Sequence, residues 1–84
     1  MKIEFITRDV CPLCDEAREM LARVTRRFAL DIVEVDVDGD EQLLASYGTT
    51  VPVARSDSGT VLAAGRWTES SLIAALARYR LTGS

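Results

Sequence analysis

No run of apolar residues in this sequence approaches the roughly 20 that a helix needs to cross a bilayer. The opening Met1-Lys2-Ile3-Glu4-Phe5 passes straight into an alternating, strand-like pattern instead of a signal peptide. No membrane partner is therefore expected, and a cytoplasmic location is. Histidine is absent and cysteine occurs only twice, so the four ligands of a structural zinc site would require two chains or borrowed carboxylates. Basic stripes are missing too: ten basic residues, all but Lys2 arginine, are dispersed among thirteen acids for a net charge of −3. Nucleic acid is not an expected partner. Neither a repeat nor a linker is visible, and 84 residues leave room for one modest core. A single domain over residues 1–84 and a monomer are expected. What is present, 48% hydrophobic and 27% charged residues, is the composition of an ordered globular chain.

Lys2 to Thr7 alternates Ile3 and Phe5 with polar neighbours and reads as a first strand. From Pro12 onward Cys14, Ala17, Leu21, Thr25 and Phe28 recur at three- and four-residue steps, which predicts an amphipathic helix, acidic at its start and basic at its end. Asp31 to Val37 is short and β-branched, a second strand. Two strands one helix apart imply a parallel β-α-β unit. Asp38 followed by Glu41 has the form of a capping box, opening a short helix through Leu43, Leu44 and Tyr47 that Gly48 can end. Val51 to Arg55 and Thr60 to Ala64 are strand-like, and the polar Ser56-Asp57-Ser58-Gly59 between them predicts a hairpin. Thr68 caps a last helix with Leu72, Ile73, Leu76, Tyr79 and Arg80 on one face, ending near a Thr82-Gly83-Ser84 tail. The order is β-α-β-α-β-β-α.

Cys11 and Cys14 are too close to staple the fold. A ring this small is worth about 2 kcal/mol in the loop-entropy formula, against about 3 for fifteen residues. In a reducing compartment such pairs are catalytic, redox-sensing or metal-binding. Their position is informative, because Cys11-Pro12-Leu13-Cys14 stands where the first strand hands over to the first helix. Pro12 suits the first helical position, where its missing N–H would have had no partner. That makes Cys11 the N-cap, facing the free N–H groups of Leu13 and Cys14, and these together with the helix dipole favour a thiolate. Cys11 is the expected attacking sulfur. Cys14, one turn on and closer to the core, is the expected resolving one. Arg8 favours the thiolate as well, whereas Asp9, Asp15 and Glu16 oppose it. C-x-x-C beside a β-α-β pattern is a thioredoxin-like redox signature. Inert packing of two buried cysteines is the bland alternative.

Pro52 lies near the start of the third strand, where proline is tolerated. Taken together, Arg8-Asp9-Val10-Cys11-Pro12-Leu13-Cys14-Asp15-Glu16-Ala17 and Tyr47-Gly48-Thr49-Thr50-Val51-Pro52-Val53 resemble the small glutaredoxin-like proteins, and the resemblance covers nearly the whole chain. It implies an α/β, thioredoxin-like (glutaredoxin-type) βαβαββα fold: a four-stranded mixed sheet with helices on both faces. It also implies a cis Pro52 that sets the Val51 backbone beside the sulfurs, for pairing with an extended substrate. Arg8 stands where glutaredoxins often carry a lysine for a glutathione carboxylate, and the helix start at Thr68 to Ser71 suits another. The substrate-binding set implied is Arg8, Pro12, Leu13, Val51, Pro52, Gly65 and Thr68, with no bound cofactor and with glutathione or a disulfide-containing protein as partner. Three departures bear on the substrate. Leu13 replaces the usual aromatic between the cysteines, Ala64-Gly65 replaces a glycine pair with Arg66 and Trp67 lengthening the loop, and Val10 stands where thioredoxins carry tryptophan.

Asp36 to Glu41 fails the spacing of a calcium loop, which needs glycine at the sixth position and glutamate at the twelfth. Trp67 reads as packing in preference to an exposed anchor. The sequence thus supports a dithiol oxidoreductase. A non-catalytic binding module or redox sensor of the same fold is the alternative, and a cluster bridged between two chains with glutathione is a third.

Overall fold

Ile3 and Phe5 of β1 (Lys2–Thr7) point to one side of the strand and Ile6 to the other, and all three are buried. Both sides of this strand must therefore be covered. In the computed structural model, which describes residues 1–82, the cover comes from three helices. The elements after β1 are α1 (Pro12–Thr25), β2 (Asp31–Asp36), a 3-10 turn (Val37–Gly39), α2 (Glu41–Tyr47), β3 (Val53–Ser56), β4 (Val61–Ala64) and α3 (Glu69–Thr82). Gly83 and Ser84 of the expected tail lie outside the described residues.

The sheet order is β2-β1-β3-β4. β1 runs parallel to β2, with Ile3 opposite Ile32, and antiparallel to β3, with Phe5 opposite Ala54. β3 and β4 form an antiparallel hairpin with an irregularity between Ala54 and Arg55. The turn closing that hairpin uses Gly59 at φ +96°, a region glycine enters without a Cβ clash. This is the expected βαβαββα order, a four-stranded mixed sheet with helices on both faces.

One side packs Ile3, Phe5 and Ala54 of the sheet against Ala17, Leu21 and Val24 of α1 and Leu72 and Leu76 of α3. The other is smaller: Ile6, Val37 and Val53, with Val35, Leu43, Tyr47 and Val51 packed around them. Beside it Arg55 donates to Glu4 at 2.7 Å and lies 5.6 Å over the Tyr47 ring. The edge strand β2 is half exposed and carries Asp31, Glu34 and Asp36, charges that discourage pairing with a further strand. Among the described residues no helix is long and apolar enough to cross a membrane.

Several local expectations need correcting. Asp38 is not the cap of α2. Asp40 is, its carboxylate accepting the Leu43 N–H at 3.0 Å, because Val37 to Gly39 coil into the 3-10 turn that Asp36 caps. The second strand accordingly stops at Asp36. The first helix ends at Thr25, so Phe28 packs on the core from beyond it, and Val24 is the buried residue at that step. Thr25 instead donates its hydroxyl to the Leu21 carbonyl at 2.7 Å. The third strand starts at Val53, leaving Val51 and Pro52 in its approach, and the fourth at Val61. Gly48 does end α2, and closely: an added Cβ would lie 2.5 Å from the Leu44 carbonyl oxygen.

Candidate redox site

β1 ends at Thr7 and α1 begins at Pro12, so four residues reverse the chain. Val10 does this at φ +50° with its side chain fully exposed. For a β-branched residue that conformation is strained, of the order of 1–3 kcal/mol. Cys11 follows in an extended conformation (φ −141°, ψ 101°) as the N-cap of α1. Its sulfur accepts the Cys14 N–H at 3.1 Å, and its carbonyl accepts the Asp15 N–H at 3.0 Å. The Leu13 N–H, expected to share the sulfur, does not bond to it. Cys11 is half-buried and Cys14 fully buried on the helix face that also carries Ala17, Leu21 and Val24. The two are joined in a disulfide, with Cα atoms 5.1 Å apart, inside the ~4.4–6.8 Å range such bonds need.

Two grooves meet here. One, about 540 Å³, is lined by Arg8, Val10, Cys11, Leu13, Thr49 and Val51, with Pro12 and Gly48. The other, about 380 Å³, is lined by Leu13, Glu16, Glu19, Gly65, Trp67 and Thr68, among others. Leu13 borders both. The sequence-predicted residues thus separate: Arg8, Pro12, Leu13 and Val51 stand with Cys11, whereas Gly65 and Thr68 stand in the second groove. Pro52 is buried and lines neither. The Val51–Pro52 peptide bond is cis. The Pro52 carbonyl accepts the Gly65 N–H at 2.8 Å and the Trp67 Nε1–H at 3.3 Å. Trp67 is therefore packed in the core and also braces the segment that carries Val51.

Arg8 is already engaged. Its Nε and Nη2 donate to the two Asp38 carboxylate oxygens at 2.9 and 3.0 Å, and Nη1 to the Gly48 carbonyl at 2.9 Å. The hydrogen bond to Asp38 raises the Arg8 pKa, and the same bond holds the Asp38 carboxyl below the usual carboxylate range. Asp38 is the residue that sequence reasoning misplaced. Its partner is 30 positions away, and no local pattern signals the pair. Thr68 caps α3 reciprocally, accepting the Ser71 N–H and donating its own N–H to the Ser71 hydroxyl, both at 3.1 Å. Among the described residues no group of three or more His, Cys, Asp or Glu side chains could hold a metal ion.

Comparison with known proteins places this geometry. The glutaredoxin-like domain (DUF836) matches residues 2–77. The X-ray structure of the structural-genomics target protein XcR50 from X. campestris is 33% identical, with a TM-score of 0.78 over 90% of this chain and 96% of that one. The solution structure of protein Ne2328 from Nitrosomonas europaea is 25% identical, with a TM-score of 0.76 over 89% and 88%. Thioredoxin 1 from Thermosipho africanus, 24% identical with a TM-score of 0.70 and full coverage of both chains, shares the fold. No curated protein matches the chain.

Proposed function

The chain belongs to the glutaredoxin-like domain family, and from that premise we propose that it is a thiol–disulfide oxidoreductase working through Cys11 and Cys14. The observation that carries this reading is the Cys11 sulfur, half-exposed at the head of α1, hydrogen-bonded by the Cys14 N–H and bonded to the buried Cys14. In the reduced chain the same N–H and the helix dipole stabilise a thiolate on Cys11. That thiolate attacks one sulfur of a partner disulfide, expelling the other as a thiolate and leaving Cys11 in a mixed disulfide. Cys14 then loses its proton and attacks the Cys11 sulfur, releasing the second partner thiol and closing the internal disulfide. Two electrons pass to the partner, and an external thiol restores the dithiol. Arg8, Pro12, Leu13 and Val51 border the approach to Cys11, Gly65 and Thr68 line the second groove that Leu13 joins to it, and Pro52 carries Val51. The partner is a protein disulfide or a glutathione mixed disulfide, and no bound cofactor takes part.

The test is alkylation of the reduced chain across pH. Cys11 is expected to react before Cys14, with a midpoint below the ~8.5 of an ordinary cysteine. A midpoint at or above that value removes the case for activation. Cys11→Ser is expected to abolish reduction of insulin disulfides, and Cys14→Ser to accumulate the mixed disulfide. A wild-type chain that reduces neither insulin nor a glutathione mixed disulfide is a binding module or sensor instead.

A further inference from the structure

Charge is distributed unevenly between the two ends of β1 and α1. At the redox end Asp9, Glu16 and Glu19 are exposed and have no ion-pair partner among the described residues. Glu16 and Glu19 line the second groove. Of the arginines there, Arg8 is paired with Asp38 and Arg23 with Glu69, which leaves Arg66 as the one unpaired cation lining either groove. The opposite end holds Lys2 at the start of β1, Arg26 and Arg27 just past α1, and Arg80 over the Phe28 ring at 5.3 Å. The unpaired side-chain charge around the second groove is therefore net acidic and favours basic groups on a partner, in a chain that is itself net negative.

Several donors that a small anionic thiol could use are also occupied. Glutathione carries two carboxylates and one ammonium, so each half of its disulfide is net negative. Arg8 commits three N–H groups to Asp38 and Gly48. At the first turn of α3 the Thr68 and Ser71 N–H groups are taken by the Thr68–Ser71 exchange, and the Glu69 carboxylate there is paired with Arg23. What the grooves do leave open is apolar and backbone surface beside Cys11: Val10 fully exposed, Pro12 exposed, Leu13 and Val51 half-buried.

We propose that the oxidised partner of this site is a polypeptide whose cysteine is flanked by lysine or arginine, bound across the two grooves with its basic side chains toward Glu16 and Glu19, and that glutathione disulfide is disfavoured. This rests on the dithiol reading above and narrows it to one substrate class. The reaction balances within the proposal: one peptide disulfide becomes two peptide thiols while the Cys11–Cys14 dithiol becomes the internal disulfide.

The test is a single-turnover reaction of the reduced full chain with three probes: the symmetrical disulfides of a capped Lys-Cys-Lys peptide and of a capped Glu-Cys-Glu peptide, and glutathione disulfide. Released thiol is followed by chromatography. The lysine peptide is expected to react at least about tenfold faster than either other probe at low salt. The gap is expected to shrink at 1 M salt, where screening acts over about 3 Å. The doubly substituted E16Q/E19Q chain, whose changes lie at exposed positions, is expected to narrow the gap in the same way. Equal rates for the lysine peptide and glutathione disulfide, or a preference that neither salt nor E16Q/E19Q reduces, overturn the proposal and leave the dithiol reading standing. Failure of the reduced chain to release thiol from any of the three overturns both.

Discussion

On one side of the sheet α1 and α3 enclose a continuous cluster that includes Phe5, Leu21, Val24, Leu72 and Leu76. On the other the seven-residue α2 covers only Ile6, Val37 and Val53, and polar pairs do the rest. The redox site draws on both. Cys14 is seated by the face of α1 that meets the large cluster, whereas Val51 rests on the small one and Arg8 is held beside it by Asp38 and Gly48. Cys14 is thus anchored by apolar burial, and the surface beside Cys11 by a few specific contacts. Changes to the first side should cost stability and spare chemistry per folded molecule. Changes to the second should also alter the chemistry of the folded molecule.

The largest expected effect is on the first side. Leu76→Ala removes a fully buried side chain and is expected to lower the unfolding free energy by about 2–5 kcal/mol, read as a lower urea midpoint at unchanged slope. Next comes Gly48→Ala, whose Cβ would stand 2.5 Å from the Leu44 carbonyl oxygen and 2.9 Å from Leu44 Cδ1. The end of α2 must move, at about 1–3 kcal/mol, and the carbonyl that receives Arg8 moves with it. Disulfide exchange is therefore expected to slow even where the chain is still folded.

A sharper comparison uses one strand. Ile3→Val and Ile6→Val remove the same methylene from opposite sides of β1, both at buried positions, and each is expected to cost about 0.5–1.5 kcal/mol. Only Ile6→Val, which loosens the cluster beneath Val51, is expected to alter the exchange rate of the folded fraction. Equal kinetic effects would erase the division of labour between the two sides.

The smallest effect concerns the Arg8–Asp38 pair, which is exposed and screened. Because Arg8 depresses the Asp38 pKa in the folded chain, the pair's contribution is present above the unfolded value of about 3.9. It is lost as pH falls through the depressed one. Asp38→Asn is expected to be slightly less stable than the parent at neutral pH and to converge with it on acidification below about pH 4. Thermal melts of both chains across that range measure the difference.

The periodicities of two and of three to four residues, and the proline after Cys11, were enough to lay out the order of elements and to seat the first sulfur at a helix mouth. These depend on neighbours in the chain. Local patterns misled where two local solutions competed: Asp38 and Asp40 both satisfy a cap, and only the 3-10 turn at Val37 to Gly39 selects Asp40. Likewise Thr25 and Val24 differ by one step of a helix, and contact with the sheet chose Val24.

What the amino-acid sequence determined by itself is the cysteine pair and its local setting: two thiols one turn apart, a proline between them, and an apolar stripe behind the second. The folded structure alone decided that Arg8 is neutralised by Asp38 across 30 residues, that Trp67 reaches back to the Pro52 carbonyl, and that Glu16 and Glu19 share a groove with Gly65 and Thr68. Local propensity acts within a few residues and can be read in order along the chain. The field and the hydrogen bonds around a site depend on which distant side chains the packed core brings within a few ångströms of it.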